Sequence, residues 1–202
     1  MAKARKKDKE TVKWKKKGWY PILAPSLFNN QVLGETTTFE PNKMLGKTLQ
    51  VNLMNLTGEV RNQNVNILFK VTSINDNKAL TELMSYSLSP SFIKRVVRRG
   101  HTRADSTYML KTKDNRKVVV KSILITRHIV NRSVVTALRK NALEFLTQIV
   151  SGQSYDDLFR NIIYYKLQIE LKKRLSKTYP LKTYDIKKMQ LVEKDIEKQQ
   201  KG

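Results

Sequence analysis

The chain contains no cysteine. That excludes disulfides, thiolate catalysis, iron–sulfur clusters and every cysteine-based zinc finger. Only seven glycines occur in 202 residues, and none stands in a dinucleotide fingerprint, a Walker-type loop or a nucleophile elbow. Acids are scarce as well, 17 Asp and Glu against 40 Lys and Arg. No apolar run approaches the roughly 18 residues of a membrane span. The Lys-rich N-terminus is not followed by the apolar segment of a secretory signal. The expectation is a soluble cytoplasmic protein with no membrane contact.

What is present is a core and an electrostatic field. Hydrophobic residues make up 40% of the chain, enough for a globular body and too many for a wholly disordered basic protein. The net charge is +23, and it is concentrated. Residues 1–20 carry nine Lys and Arg against two acids, and residues 94–140 carry fourteen against two. Residues 21–93, between these blocks, are neutral with five of each. Charge spread for solubility would be even. Charge gathered in two blocks is the footprint of a phosphate-binding surface, and nucleic acid is the first candidate partner.

The pattern along the chain predicts an α+β fold: an antiparallel strand meander forming a barrel-like sheet, with packed helices, two of them long and in the C-terminal third. Three regions are expected: a basic arm over 1–17, a single domain over 18–192 and a polar tail over 193–202. Gly18 to Pro25 reads as an extended anchor. Val65, Ile67, Phe69 and Val71 alternate with mainly polar neighbours, a strand of period two, and 48–54 and 80–88 repeat the habit. Ser89-Pro90 predicts a helix start and Gly100 its end, with Arg95, Arg98 and Arg99 at i, i+3 and i+4 on one face. A hairpin follows, turning near Asp114-Asn115. Ser133 opens a helix that Gly152 closes, and Ser154-Tyr155-Asp156-Asp157 opens a second reaching about Leu175. Tyr184 to Val192 reads as a last strand.

Catalysis finds little support in this pattern. His101 and His128 both lie in the most basic block, where Asp105 and Asp114 are the only acids, so a zinc site lacks ligands. Asp156-Asp157 already has a reason to exist as a helix N-terminal signal. No catalytic residue, metal or cofactor is expected. The binding signals are stronger. Lys13, Trp14, Lys15, Lys16, Lys17 and Trp19 interleave ammonium groups with aromatic faces, one set for phosphates and the other for unpaired bases or apolar surface. Arg95, Arg98, Arg99 and Arg103 offer planar guanidinium forks. Lys111, Lys113, Arg116, Lys117 and Lys121 extend the surface along the hairpin, and Arg127, Arg132, Arg139 and Lys140 extend it further.

In this order the features resemble the archaeal and eukaryotic small-subunit ribosomal protein family S-one-e, also called S-three-A-e. The matching pieces are K-W-K-K-K-G-W-Y with the following A-P and Phe28, then Gly34 with Thr36, and Leu56-Thr57-Gly58-Glu59. R-V-V-R-R at 95–99, Thr112-Lys113-Asp114, Leu138-Arg139-Lys140 and Lys177-Thr178-Tyr179-Pro180-Leu181 follow, the last leading into Ile186-Lys187-Lys188. They span about residues 13 to 192. Departures are Asn115 for the usual turn glycine, Arg116 for the usual aromatic, and N-R-S-V-V where the family has S-Q before the long helix. The resemblance implies a structural constituent of the small subunit, on its platform near the mRNA exit. The implied partners are ribosomal RNA and neighbouring small-subunit proteins, with mRNA a further candidate and no homo-oligomer. The long extensions typical of eukaryotic members are not found here, so an archaeal or compacted version is the expectation. A transient RNA chaperone or translation factor is the alternative, and an RNA-modifying enzyme ranks behind it.

Overall fold

A computed structural model describes residues 17–75 and 78–192. The predicted arm up to residue 16, the tail over 193–202 and the turn residues Asp76 and Asn77 lie outside the described residues. The elements are β1 (Gly18–Leu23), β2 (Val32–Thr38), β3 (Thr48–Asn52), α1 (Leu53–Thr57), β4 (Val65–Asn75), β5 (Lys78–Leu88) and α2 (Pro90–Val96). They continue with β6 (Arg103–Lys111), β7 (Lys117–Thr126), α3 (Arg132–Gly152), α4 (Tyr155–Ile163), α5 (Lys166–Leu175) and β8 (Leu181–Leu191). The α+β class is as expected from the sequence.

The eight strands form one branched sheet that does not close. One edge of β5 pairs with β4, which pairs in turn with β3. Its other edge is shared: Ala79 and Leu80 run parallel to Ile22 and Leu23 of β1, while Ser85–Ser87 run antiparallel to Lys188–Gln190 of β8. A simple meander therefore holds only locally, for β1–β2, β3–β4–β5 and β6–β7. The C-terminal strand returns from the helices to enter between β5 and β7, a long-range placement that no local signal encodes.

The register gives the sheet two chemically opposite faces. One transverse row reads Tyr108, Val120, Met189, Tyr86, Ile67 and Val51 across β6, β7, β8, β5, β4 and β3. All but Val51 are buried, and the row belongs to the same core as Leu138, Leu146, Leu158 and Leu171 of the helices. The neighbouring row reads Thr107, Lys121, Lys188, Ser87, Asn66 and Asn52, with no apolar side chain. Where pairing is regular, alternation of side chains makes this separation follow from the register, whereas 83–86 of β5 and 122–126 of β7 are buried on both sides.

Three local expectations are revised. First, α2 stops at Val96. Val97 leaves it in an extended conformation and packs, with Val96, against the core. Gly100, at φ +81°, sits in the following turn and is not the helix cap. Second, the helix expected to run to about Leu175 breaks at Tyr165, which takes the left-handed φ of 59° at a cost of about 1–2 kcal/mol. In a straight helix each i, i+4 step drifts by about 40°, so Leu171 and Leu175 would rotate away from the face set by Leu158 and Ile162. The break re-aims them, and the buried Gln168 amide donates to the Ile162 carbonyl at 3.0 Å, satisfying an acceptor there. Third, the α4 start is more elaborate than its capping box. Ser154 Oγ accepts from Asp157 N–H at 3.3 Å and donates to its carboxylate at 2.7 Å. Asp114 of the β6–β7 turn accepts from Tyr155 N–H at 2.8 Å. Asn115, at φ +58°, shapes that turn in the role the sequence assigns to it.

Beside Tyr86 and Tyr165 lies Asp185 of β8. Burial pushes its carboxyl up to about 6, with the charge of Lys172 opposing the rise. Between about pH 4 and 6 the native state holds a proton that the unfolded chain has released, so this group lowers stability as pH rises through that window. Asp185→Asn is expected to remove that slope and to raise stability at pH 7 by up to about 2–3 kcal/mol. Urea melts of both chains at pH 4 and pH 7 measure it.

Candidate nucleic-acid interface

At the end of the sheet where β6 begins and β7 ends, three chain segments are tied together by hydrogen bonds. Thr126, fully buried at the end of β7, is the hub. Its amide donates to the Thr102 carbonyl at 3.0 Å, and its hydroxyl accepts from Thr102 N–H at 3.1 Å. Thr102 Oγ1 in turn accepts from Val130 N–H at 3.0 Å. Arg127 N–H donates to the Pro180 carbonyl at 3.1 Å. His101 Nδ1 lies 2.8 Å from the Arg127 carbonyl and Nε2 lies 2.9 Å from Lys182 Nζ. A carbonyl can only accept and an ammonium can only donate, so this arrangement uses the Nδ1–H tautomer.

Arg98, Arg99, Arg127, His128, the 76%-exposed Ile129 and Arg132 stand exposed along the segments that this lattice joins, and Lys182 is tied to it through His101. Arg95 stands exposed on α2 with its guanidinium 5.4 Å from the Phe92 ring centroid, and Arg98 Nε donates to the Arg95 carbonyl at 3.4 Å. The three arginines are thus near one another, but Arg98 and Arg99 lie in the turn and not on a common helix face with Arg95. Arg103, Arg139 and Lys187 of three different elements converge on Asp105. The Arg103 hydrogen bond holds the Asp105 carboxyl below the usual carboxylate range; partial burial opposes this, and the charges of Arg103, Lys187 and Arg139 add to it.

Other sequence-selected residues lie elsewhere. Lys111 and Lys117 face each other at the far end of the β6–β7 hairpin, eight residues and about 27 Å along the strand from Arg103. Lys113 is exposed in the turn beyond them, and Lys121 is exposed in mid-strand. Arg116 pairs with Glu82 and stacks 5.3 Å from the Tyr155 ring, a structural employment that sequence reading did not reveal. Lys140 is exposed on α3. On the other branch of the sheet, Trp19 is 69% exposed and Lys17 lies 5.2 Å over the Phe39 ring. Lys13, Trp14, Lys15 and Lys16 are outside the described residues. Sequence selection missed Lys182, Lys187 and Lys188. The run Ile186-Lys187-Lys188 carried a signal, but only strand pairing aligns it with Lys121 and Asp105.

Among the described residues, no three His, Asp or Glu side chains are gathered to hold a metal. A cleft lined by Asn29, Thr57, Glu59, Asn62, Arg160 and Tyr164 contains no nucleophile with an adjacent base, and its Asn62 amide is spent on Thr57 and Glu59. Among the described residues no helix is long and apolar enough to cross a membrane.

Fold and charge together define a strongly basic α+β protein with a group of exposed cations at the end of the sheet where β6 begins and β7 ends. The sequence matches the model of the Ribosomal S3Ae family over residues 3–195, and the chain belongs to that family. It is 29% identical over 189 residues to a Staphylothermus marinus protein named small ribosomal subunit protein eS1, covering 94% of this chain and 89% of that one. A protein of the same name from Nanoarchaeum equitans is 31% identical over 173 residues, covering 86% and 87%. One from Desulfurococcus amylolyticus is 29% identical over 180 residues, covering 89% and 84%.

The hub makes a stability prediction. Thr126→Val keeps the shape but leaves the Thr102 N–H without its acceptor, at an expected cost of about 1–3 kcal/mol. Amide exchange at Thr102 and Val130 should accelerate relative to Val120, which native-state hydrogen exchange reads directly.

Proposed function

We propose that this protein is a structural constituent of the small ribosomal subunit, without catalytic activity, that binds ribosomal RNA through its cationic end and its Lys- and Trp-rich arm. It sits on the platform near the mRNA exit and contacts neighbouring small-subunit proteins. The observation that carries the RNA-binding reading is the set of arginines and Lys182 held at the end of the sheet by the Thr102–Thr126–Arg127 hydrogen bonds. Pre-ordered cations lose little entropy on meeting phosphates, and each contact releases counterions. The family membership and the names of its relatives supply the ribosomal setting.

Gradient sedimentation of a tagged copy from its own cells, at moderate and then high monovalent salt, tests this reading. One copy per small subunit retained at high salt is the expected result; a sub-stoichiometric copy that washes off would mean a transient factor. Arg98→Glu with Arg127→Glu is expected to abolish incorporation while the isolated chain keeps its thermal midpoint within a few degrees. Deleting residues 1–12 removes five Lys and Arg. It should weaken RNA binding and flatten the slope of log affinity against log salt by up to about 4. An unchanged slope would remove the arm from the phosphate contacts.

A further inference from the structure

The polar face of the sheet has a feature that stability alone opposes. Lys121 of β7 and Lys188 of β8 are directly paired across the ladder. At the far end of the hairpin, Lys111 and Lys117 are paired in the same way and on the same face. Like charges placed directly opposite one another destabilise a sheet. No carboxylate stands opposite Lys121 or Lys188 within the row Thr107, Lys121, Lys188, Ser87, Asn66 and Asn52, nor in the same-face row Met109, Val119, Gln190, Ser85, Leu68 and Gln50; Asp105, two residues before Thr107 on that face, is hydrogen-bonded to Arg103. The remaining polar positions of the two rows are hydroxyls and amides, which both donate and accept. Neither row contains an aromatic residue.

We propose that this open face is a second RNA-binding surface, distinct from the cationic end, and that it takes the backbone of an RNA duplex across its shallow minor groove. The charge requires a polyanion. The lack of aromatic side chains removes the stacking platform that a single strand needs. Hydroxyls and amides beside the lysines match 2′-hydroxyls beside phosphates, the pattern by which RNA helices are read by shape. The row crosses six strands, about 24 Å at the ordinary inter-strand spacing, so one duplex can lie over it. It recruits Ser87, Asn66 and Gln50 from the segment of the chain with no net charge. The proposal rests on the rRNA-binding reading above and deepens it.

The test uses the full chain with a 16-base-pair RNA duplex and the DNA duplex of the same sequence. Lys121→Gln with Lys188→Gln should lower RNA-duplex affinity at least ten-fold and reduce the salt slope by about 1.5–2. The same variant should melt at a higher temperature than the native chain, because the repulsion is gone; loss of binding with a raised midpoint separates this role from a structural one. Ser87→Ala with Gln190→Ala should narrow the preference for RNA over DNA while leaving the salt slope unchanged. If the double lysine variant binds as the native chain does while Arg98→Glu with Arg127→Glu fails, the sheet face is not an RNA surface and the cationic end stands alone. Equal binding of RNA and DNA by the native chain overturns the 2′-hydroxyl reading. Failure of the native chain to bind either this duplex or small-subunit rRNA overturns the proposed function itself.

Discussion

The seam between β5 and β8 is the interaction on which the rest of the molecule depends. Only Ser85–Ser87 and Lys188–Gln190 pair there, yet this short stretch joins β3–β4–β5 to the β6–β7–β8 half. Tyr86 and Met189, opposite one another at its centre, are both fully buried. They continue the apolar row that runs from Val51 to Tyr108. Burial of such side chains contributes about 1.5–3 kcal/mol each, so the seam is held by what lies beneath it more than by its few backbone hydrogen bonds. Tyr155 reinforces it from the helical side, its hydroxyl donating to the buried Leu83 carbonyl at 2.8 Å.

The same register that buries the apolar row exposes the polar one, so the fold and the charged face are a single decision. A chain of net charge +23 repels itself, and the structure manages this by placing its few acids with care. Glu82 takes Arg116, Asp105 takes Arg103, and Glu170 takes Arg174 at 2.7 Å. Asp114 caps a helix at 2.8 Å. Of the cations left over, one group lies at the sheet end and another on its polar face, while Lys140, Lys166, Lys172 and Lys173 stand exposed on the helices. Partly exposed pairs of this kind contribute about 0–1 kcal/mol each, so the acids act mainly to position side chains, while neutralisation of the field is left to a polyanionic partner.

Much of the local structure was legible. The period-two run from Val65 to Val71 is the first part of β4, Ser89-Pro90 opens α2, and Asn115 turns the hairpin at positive φ. These signals are local because their causes are local: alternation of side chains, a pre-set proline φ, an amide that tolerates the left-handed region. The break at Tyr165 was not legible, since nothing in Tyr164-Tyr165-Lys166 disfavours a helix. It follows from the need to present Leu158 and Leu171 to one core. Arg116 is instructive in the other direction. By composition it is one more cation of a basic block, whereas its ion pair and ring contact tie it to Glu82 and Tyr155, residues 34 and 39 positions away.

By itself, the sequence determined the α+β class, the two basic blocks, the absence of cysteine chemistry and the family, because composition and short-range periodicity need no partners to have their effect. Tertiary structure alone decided which cations share a surface. Entry of β8 between β5 and β7 sets Lys188 against Lys121, the end loops bring Lys182 to His101, and α3 carries Arg139 to Asp105. Each of these depends on hydrogen-bond register and helix packing between segments tens of residues apart, and a linear pattern carries no record of which distant segments will meet.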